Sequence, residues 1–371
     1  MLHAIDTRQL RLPAPETTLS LSDITARAAT LGAYDGHERV WLGRDEARGL
    51  TAIVAVHSTA LGPALGGTRI WPHPSFEAAL TDALRLSRGM TDKAAVAGLP
   101  LGGGKAVIMA DPRRDKTPDL LEAYAEMLTA LAGQYYTAED VGMTLADADF
   151  LGERAPNVAG TTRGSSGDPS PFTARGVFLG LKEAMRRRCG SPELEGVTVA
   201  VQGLGSVGWT LADALHGEGA RLIVADLDRS RAEKAATVFG AAVTEPDRIH
   251  AADADVYAPC ALGGVLSAST IPEIRATIVA GAANNQLATA EDAEHLAAHG
   301  ILHAPDFVIN AGGLINVAAE IFSGGYDGAA AMEKVACIPA TLAAIFDRSE
   351  AEGRTPDAVA RAIAAERVAR G

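Results

Sequence analysis

A chain of 371 residues is long enough for two domains of ordinary size and a substantial core. Its formal net charge of −13 argues against a nucleic-acid partner and against an anionic membrane surface. Apolar residues make up 47% but aromatics only 5%, so alanine, leucine and valine must fill the interior. Cys189, Cys260 and Cys337 form no CxxC pair, which argues against a disulfide framework and for a reducing compartment. The N-terminus has no signal-peptide pattern, and no run of about eighteen apolar residues occurs. A cytoplasmic protein is expected.

Residues 1 to about 20, with Pro13 and Pro15, read as a loose leader. Residues 38–43 and 50–57 read as strands. Ser75 is a plausible N-cap for a helix over 75–90. A strand is expected over Lys105–Met109, and Pro118 opens a helix with apolar residues at 120, 121, 124, 127, 128 and 131. The small polar and proline-rich segment 160–171 marks a hinge or loop. A helix from Thr173 to about Arg188 follows, then strands Val197–Val201 and Leu222–Ala225 joined by a helical crossover. Further strands are expected at Val256–Tyr257, Ile278–Val279 and Val308–Ile309. Thr355-Pro356-Asp357 starts a last helix with a cap, a proline at its first position and an acidic first turn. The fold class is therefore α/β in two domains: residues 1–160 for substrate and oligomerisation, and 161–348 for a dinucleotide-binding Rossmann domain.

The second unit carries a nucleotide signature. Gly203-Leu204-Gly205-Ser206-Val207-Gly208 is a GxGxxG sequence between a strand and a helix, and Asp226 ends the next strand. Gly203 permits the tight turn, Gly205 a close approach of backbone to pyrophosphate, and Gly208 close helix–strand packing. The helix N-terminus offers amide donors to phosphate. Asp226 would accept ribose hydroxyls and repel a 2′-phosphate, so the cofactor is NAD rather than NADP. A structural glycine turn is the plain alternative.

The first unit carries ionisable groups beside glycine and alanine. Lys93 lies in Met90-Thr-Asp-Lys, Lys105 closes Gly102-Gly-Gly-Lys, and Asp140 lies in Ala138-Glu-Asp-Val-Gly. A phosphate-loop reading of Gly102–Lys105 fails, because Ala106 stands where Ser or Thr is required. Each of two close lysines disfavours the charge of the other, so one becomes neutral enough to act as a base while its partner holds a carboxylate. Solvated surface lysines, and a capping aspartate, are the plain alternatives. His57, His216, His250 and His303 have no metal-ligand spacing, so no metal is expected. Cys260 reads as a small packed residue.

These segments, with Leu61–Arg69, Pro259–Gly264, Gly281–Gln286 and Asn310–Asn316, resemble the glutamate/leucine/phenylalanine/valine dehydrogenase family from about residue 35 onward. The resemblance implies NAD-dependent oxidative deamination of an L-α-amino acid to a 2-oxo acid and ammonium, by a homo-oligomer with a cleft between its domains. It implies that Lys93 binds the substrate carboxylate with the Gly66-Gly67 backbone and Asn284 or Asn285. Lys105 is then the general base, and Asp140 assists proton transfers at the substrate nitrogen. Thr173, Ala261, Leu262 and Asn284 help hold the nicotinamide half. A C-terminal helix, about 349–371, is expected to pack back on the first domain. Glutamate enzymes carry lysine where this chain has Leu65. Leu65, Ala138, Leu314 and Val317 then form apolar pocket walls suited to leucine, isoleucine or valine. Phenylalanine is the alternative substrate, and a silent NAD-binding regulator the alternative from another class.

Overall fold

The computed structural model describes residues 18–162, 167–322 and 325–371. The leader expected over 1–20 therefore lies almost wholly outside the described residues, as do residues 163–166 of the expected hinge.

The first sheet contains β1 (Ser20–Asp23), β2 (Arg39–Asp45), β3 (Leu50–Ser58), β4 (Ala64–Leu65), β5 (Thr68–Ile70), β6 (Gly102–Ile108) and β7 (Tyr135–Tyr136). Its order is β1-β2-β3-β6-β4-β7, with β5 also on β6. Strands β1 to β3 and β6 pair antiparallel, whereas β4 and β5 run parallel to β6. The helices of this part are α1 (Thr25–Ala28), α2 (Phe76–Val96), α3 (Pro118–Ala130) and α4 (Leu145–Gly152). Their starts follow local chemistry. The hydroxyls of Ser75 and Thr117 accept from Ala78 N and Leu120 N, and Thr144 forms a capping box with Asp147.

The second sheet is wholly parallel: β8 (Thr198–Gln202), β9 (Arg221–Ala225), β10 (Ala242–Val243), β11 (Val256–Pro259), β12 (Ile278–Val279) and β13 (Leu302–His303). The order β10-β9-β8-β11-β12-β13 is that of a doubly wound dinucleotide fold, whose crevice opens where the order reverses, at β8 and β11. Around it lie α5 (Ser170–Cys189), α6 (Ser206–Gly217), α7 (Arg229–Phe239), α8 (Asp292–Ala298), α9 (Asp306–Ile309) and α10 (Gly312–Phe322). They are followed by α11 (Gly328–Val335), α12 (Ile338–Glu352) and α13 (Pro356–Val368). The stretch Gly328–Glu352 is apolar and long enough to cross a membrane by length and composition, but it breaks into α11 and α12 and packs on α5.

One expected element is different. Val308–Ile309 forms no strand but belongs to α9, and the sixth strand is Leu302–His303. Pro305 turns the chain off the sheet, and its carbonyl accepts from both Val308 N and Ile309 N. The Ile309 side chain then fills the space left by Gly180 of α5. Tertiary packing overrides β-branched propensity there.

Helix α13 joins both halves. Thr355 caps it, with Pro356 in its first turn. Arg361 Nη1 lies 2.9 Å from Asp92 Oδ2 on α2, and Arg367 Nη1 donates to the Ala95 and Val96 carbonyls at 2.6 and 2.8 Å. On the other side, buried Asp357 meets His303 Nδ1 of β13 at 2.6 Å.

Candidate active site

Close packing brings the two lysines together. Helix α2 buries a stripe of small residues, including Ser87, Thr91, Ala94 and Ala95, against β6. A Cβ at Gly103 would sit 2.1 Å from Thr91 N, so the strand accepts the helix only because no side chain is there. Lys105 is two residues further along β6 and shares that face. It is 6% exposed, on a strand buried along its whole length.

Lys105 Nζ lies 2.6 Å from Asp140 Oδ2, in the loop after β7. The same oxygen accepts from Arg69 Nε at 3.3 Å. Burial raises the Asp140 pKa, but Lys105 and Arg69 outweigh it and hold the carboxyl below the ordinary aspartate value. Asp140 is therefore an ionised partner of Lys105, not a helix cap or a solvated surface residue.

Lys93, near the end of α2, reaches across to the second domain, where its Nζ donates to Asn284 Oδ1 at 3.0 Å. The same oxygen accepts from Asn310 Nδ2 at 2.9 Å. Of the two expected asparagines, Asn284 makes this contact, whereas Asn285 occupies a left-handed turn at φ 52. Burial lowers the Lys93 pKa to about 8; Asp306 opposes the drop and Lys105 adds to it. This site favours an anion. An arriving carboxylate restores full charge to the ammonium, and its affinity should weaken as pH rises through about 8. The inhibition constant of a simple aliphatic carboxylate without an amine is expected to rise above that pH, and the rise should move to higher pH in Lys93→Arg. A constant that stays flat into the alkaline range would contradict the assignment of Lys93 as the anion site.

The cofactor loop has the shape its glycines suggested. Gly203 has φ 92, and a Cβ there would meet the Ala261 Cβ at 2.7 Å. A Cβ at Gly208 would strike the Gly203 carbonyl at 2.0 Å, whereas Gly205 faces open space. Helix α6 starts at Ser206 with no side-chain cap, so its first amides, beside Gly205 and Val207, are available to phosphate. Asp226 Oδ2 accepts from Leu204 N at 2.6 Å and Oδ1 from Asp228 N at 2.8 Å, fixing the carboxylate at the loop. Leu227 and Leu262 beside this loop are 87% and 70% exposed. The residues fit NAD: the glycine turn and the uncapped start of α6 would hold the pyrophosphate, and the Asp226 carboxylate at the loop would repel a 2′-phosphate. Asp226→Ser is expected to narrow the preference for NAD over NADP, measured as the ratio of kcat/KM. A parent enzyme that already uses both equally would contradict this role.

The sequence matches the Glu/Leu/Phe/Val dehydrogenase dimerisation-domain model over residues 37–155. It matches the glutamate/leucine/phenylalanine/valine dehydrogenase model over 164–230 and 224–337. The chain belongs to this family. It is an NAD-dependent amino-acid dehydrogenase. Leucine dehydrogenase of Bacillus subtilis (strain 168) is 46% identical over 339 residues, covering 91% of this chain and 92% of the relative. L-Tryptophan dehydrogenase of Nostoc punctiforme is 48% identical over 334 residues, covering 90% and 94%. The crystal structure of that tryptophan enzyme superposes with a TM-score of 0.78, at 47% identity, covering 90% of this chain and 96% of the other. The hetero-hexameric glutamate dehydrogenase of Thermus thermophilus superposes at 0.72, with 26% identity and 94% and 88% coverage.

Within this dehydrogenase, the expected wall residues share one apolar cluster. Leu65, Leu314 and Val317 are 1%, 9% and 8% exposed, and Ala138 packs against the same core cluster. Gly66 and Gly67 form the turn between β4 and β5, held by the Tyr135 hydroxyl, which donates to the Gly66 carbonyl at 2.6 Å. Thr173 sits in the first turn of α5, its hydroxyl on the Pro169 carbonyl and close to Gly313 of α10. Ala261 touches the cofactor loop, and Leu262 follows it at the surface. Burial pushes the Cys260 thiol up to about 12, as befits a packed rather than reactive cysteine.

Sequence reading left four neighbours without a role. Met90 Cγ lies 3.3 Å from where a Cβ on Gly66 would be. Asn310 supports Asn284, Asp306 faces Lys93, and Arg69 contacts Asp140. Asn310 and Arg69 stood in the family segments, so motif membership was their signal; Asp306 carried none.

Proposed function

We propose that this enzyme catalyses the reversible oxidative deamination of a branched-chain L-amino acid, leucine, isoleucine or valine, to its 2-oxo acid and ammonium. The observation that carries the reading is the Lys93–Asn284 contact across the domains beside the Lys105–Asp140 pair, with Leu65 in the apolar core cluster. Lys93 and Asn284 take the substrate carboxylate, with the Gly66-Gly67 turn behind it. The amine then lies toward Lys105 and Asp140. NAD supplies the hydride acceptor at the α-carbon. Lys105, neutral at that moment, takes a proton from the water that adds to the α-carbon. Asp140 carries protons to and from the substrate nitrogen, so that ammonia leaves as a neutral molecule. The two-sheet body closes water out of the cleft around these groups. Residues 1–160 supply the substrate side and the oligomer contacts, 161–348 the cofactor side, and the C-terminal helix the strap between them.

A second reading is an aromatic substrate. The Nostoc punctiforme relative named L-tryptophan dehydrogenase, at 48% identity, favours it. A panel of branched-chain, aromatic and acidic amino acids with NAD, followed by NADH absorbance in both directions, separates the two. The branched-chain reading expects the highest kcat/KM with an aliphatic substrate. A regulator without activity expects no NADH from any of them.

A further inference from the structure

Arg69 belongs to a sequence segment to which the mechanism above gives no task. It lies on β5, opposite Val107 in a parallel register with β6. Lys105 and Val107 share one face of β6, so Arg69 and Lys105 are diagonal neighbours on that face. Its guanidinium makes two contacts: Nε to Asp140 Oδ2 at 3.3 Å, and Nη1 to Asp82 Oδ2 on α2 at 3.0 Å. His73 Nε2 stands 3.4 Å from the same Asp82 oxygen. Arg69, Asp82 and Asp140 are each about one quarter exposed, so screening by water is incomplete.

We infer that Arg69 is a positioning residue of the reaction: it gives Asp140 a permanent counter-charge and a fixed orientation beside Lys105, and Asp82 holds Arg69 there. The inference rests on the proposed proton-carrying roles of Lys105 and Asp140. The physical need arises from the cycle itself. A base must spend part of each turnover neutral, and when Lys105 is neutral Asp140 loses its nearest cation at 2.6 Å. A carboxylate left alone in a desolvated site takes up a proton and can no longer accept one. Arginine does not deprotonate in proteins, so its charge persists through every protonation state of the lysine. A lysine at this position would be open to loss of its charge under burial. Asp82 anchors the guanidinium and offsets its charge at the far end, which leaves one edge for Asp140.

Other charged or titratable groups face Asp140 as well. Lys105 comes from β6, Lys93 from α2 and the Tyr135 hydroxyl from β7, while Glu139 precedes it in its own loop. Their presence is common to every variant below, so differences report on Arg69.

The test uses the full-length enzyme with its best amino acid and NAD. Arg69→Met is expected to move the acid limb of kcat/KM upward by about one pH unit, since a neighbouring arginine lowers an aspartate by at least that much. On the acid side this is about a tenfold loss at fixed pH, and raising the pH should recover it. Arg69→Lys should move the limb less, and Asp82→Asn should move it in the same direction by a smaller amount. The NAD dissociation constant, read by nucleotide fluorescence, should not change in any of them. In an Asp140→Asn background the Arg69→Met effect should vanish, because its target is already neutral. A limb that stays at the parental pH in Arg69→Met, or losses that multiply in the double variant, would overturn the inference. Should Arg69→Met fail to fold, an unmoved limb in Asp82→Asn overturns it equally. Near-parental activity of Asp140→Asn alone would instead remove the role of Asp140, and the inference with it.

Discussion

Lys105→Ala is expected to lose roughly two to four orders of magnitude in kcat, the usual cost of losing a general base, while NAD still binds. The geometry separates the two functions. Lys105 projects from β6 of the first sheet, whereas the glycine loop and Asp226 belong to β8, α6 and β9 of the second. Removing the lysine also removes the nearest cation from Asp140, but Arg69 remains at 3.3 Å, so the carboxylate is not stranded. The variant should therefore fold and titrate normally with nucleotide. NADH production at saturating substrate, together with nucleotide fluorescence, reads both quantities on one preparation. Activity close to that of the parent in pure, folded Lys105→Ala would sink the assignment of Lys105 as base.

Sequence reading reached the fold through local rules that the tertiary structure respects. The N-caps at Ser75 and Thr355, the helix opened by Pro118 and the glycine turn at Gly203 depend on residues within a few positions of one another. The parallel order of the second sheet follows from alternating strands and helices with right-handed crossovers. The last strand was misplaced because Val308 and Ile309 look β-forming in isolation. Their conformation is set by Pro305 and by Gly180, more than a hundred residues away, which no local rule registers.

The candidate site divides in the same manner. Lys93, Lys105 and Asp140 stand beside glycine and alanine, and that composition signals close approach. What sequence could not give is which lysine burial would act on: the group brought down to about 8 is Lys93, with Lys105 adding to the drop and Asp306, from the other domain, opposing it. Likewise, the choice between Asn284 and Asn285 rests on the left-handed turn at Asn285. Arg69 carries its meaning only through contacts to Asp82 and Asp140, thirteen and seventy-one residues distant.

Substrate choice is where the largest discrimination should appear. Leu65, Leu314 and Val317 belong to one apolar core cluster with Ala138 packed against it, and the family resemblance sets Leu65 where glutamate enzymes carry a lysine. A side-chain carboxylate brought there would be buried without a partner, so glutamate should give essentially no turnover. Leucine, isoleucine and valine should all be used and should differ only moderately, because one methylene in an apolar pocket changes the barrier by roughly 1–3 kcal/mol. Leu65→Ala should enlarge the pocket and raise the ratio of phenylalanine to leucine in kcat/KM. That ratio is the quantity to read, since emptying a site that is 1% exposed destabilises the whole chain by roughly 2–5 kcal/mol and lowers both rates together. Leu65→Ala with an unchanged ratio would show that Leu65 packs the core without bounding the substrate. A parent enzyme that prefers phenylalanine or tryptophan to every branched-chain substrate would overturn the aliphatic reading and leave the deamination chemistry of Lys93, Lys105 and Asp140 in place.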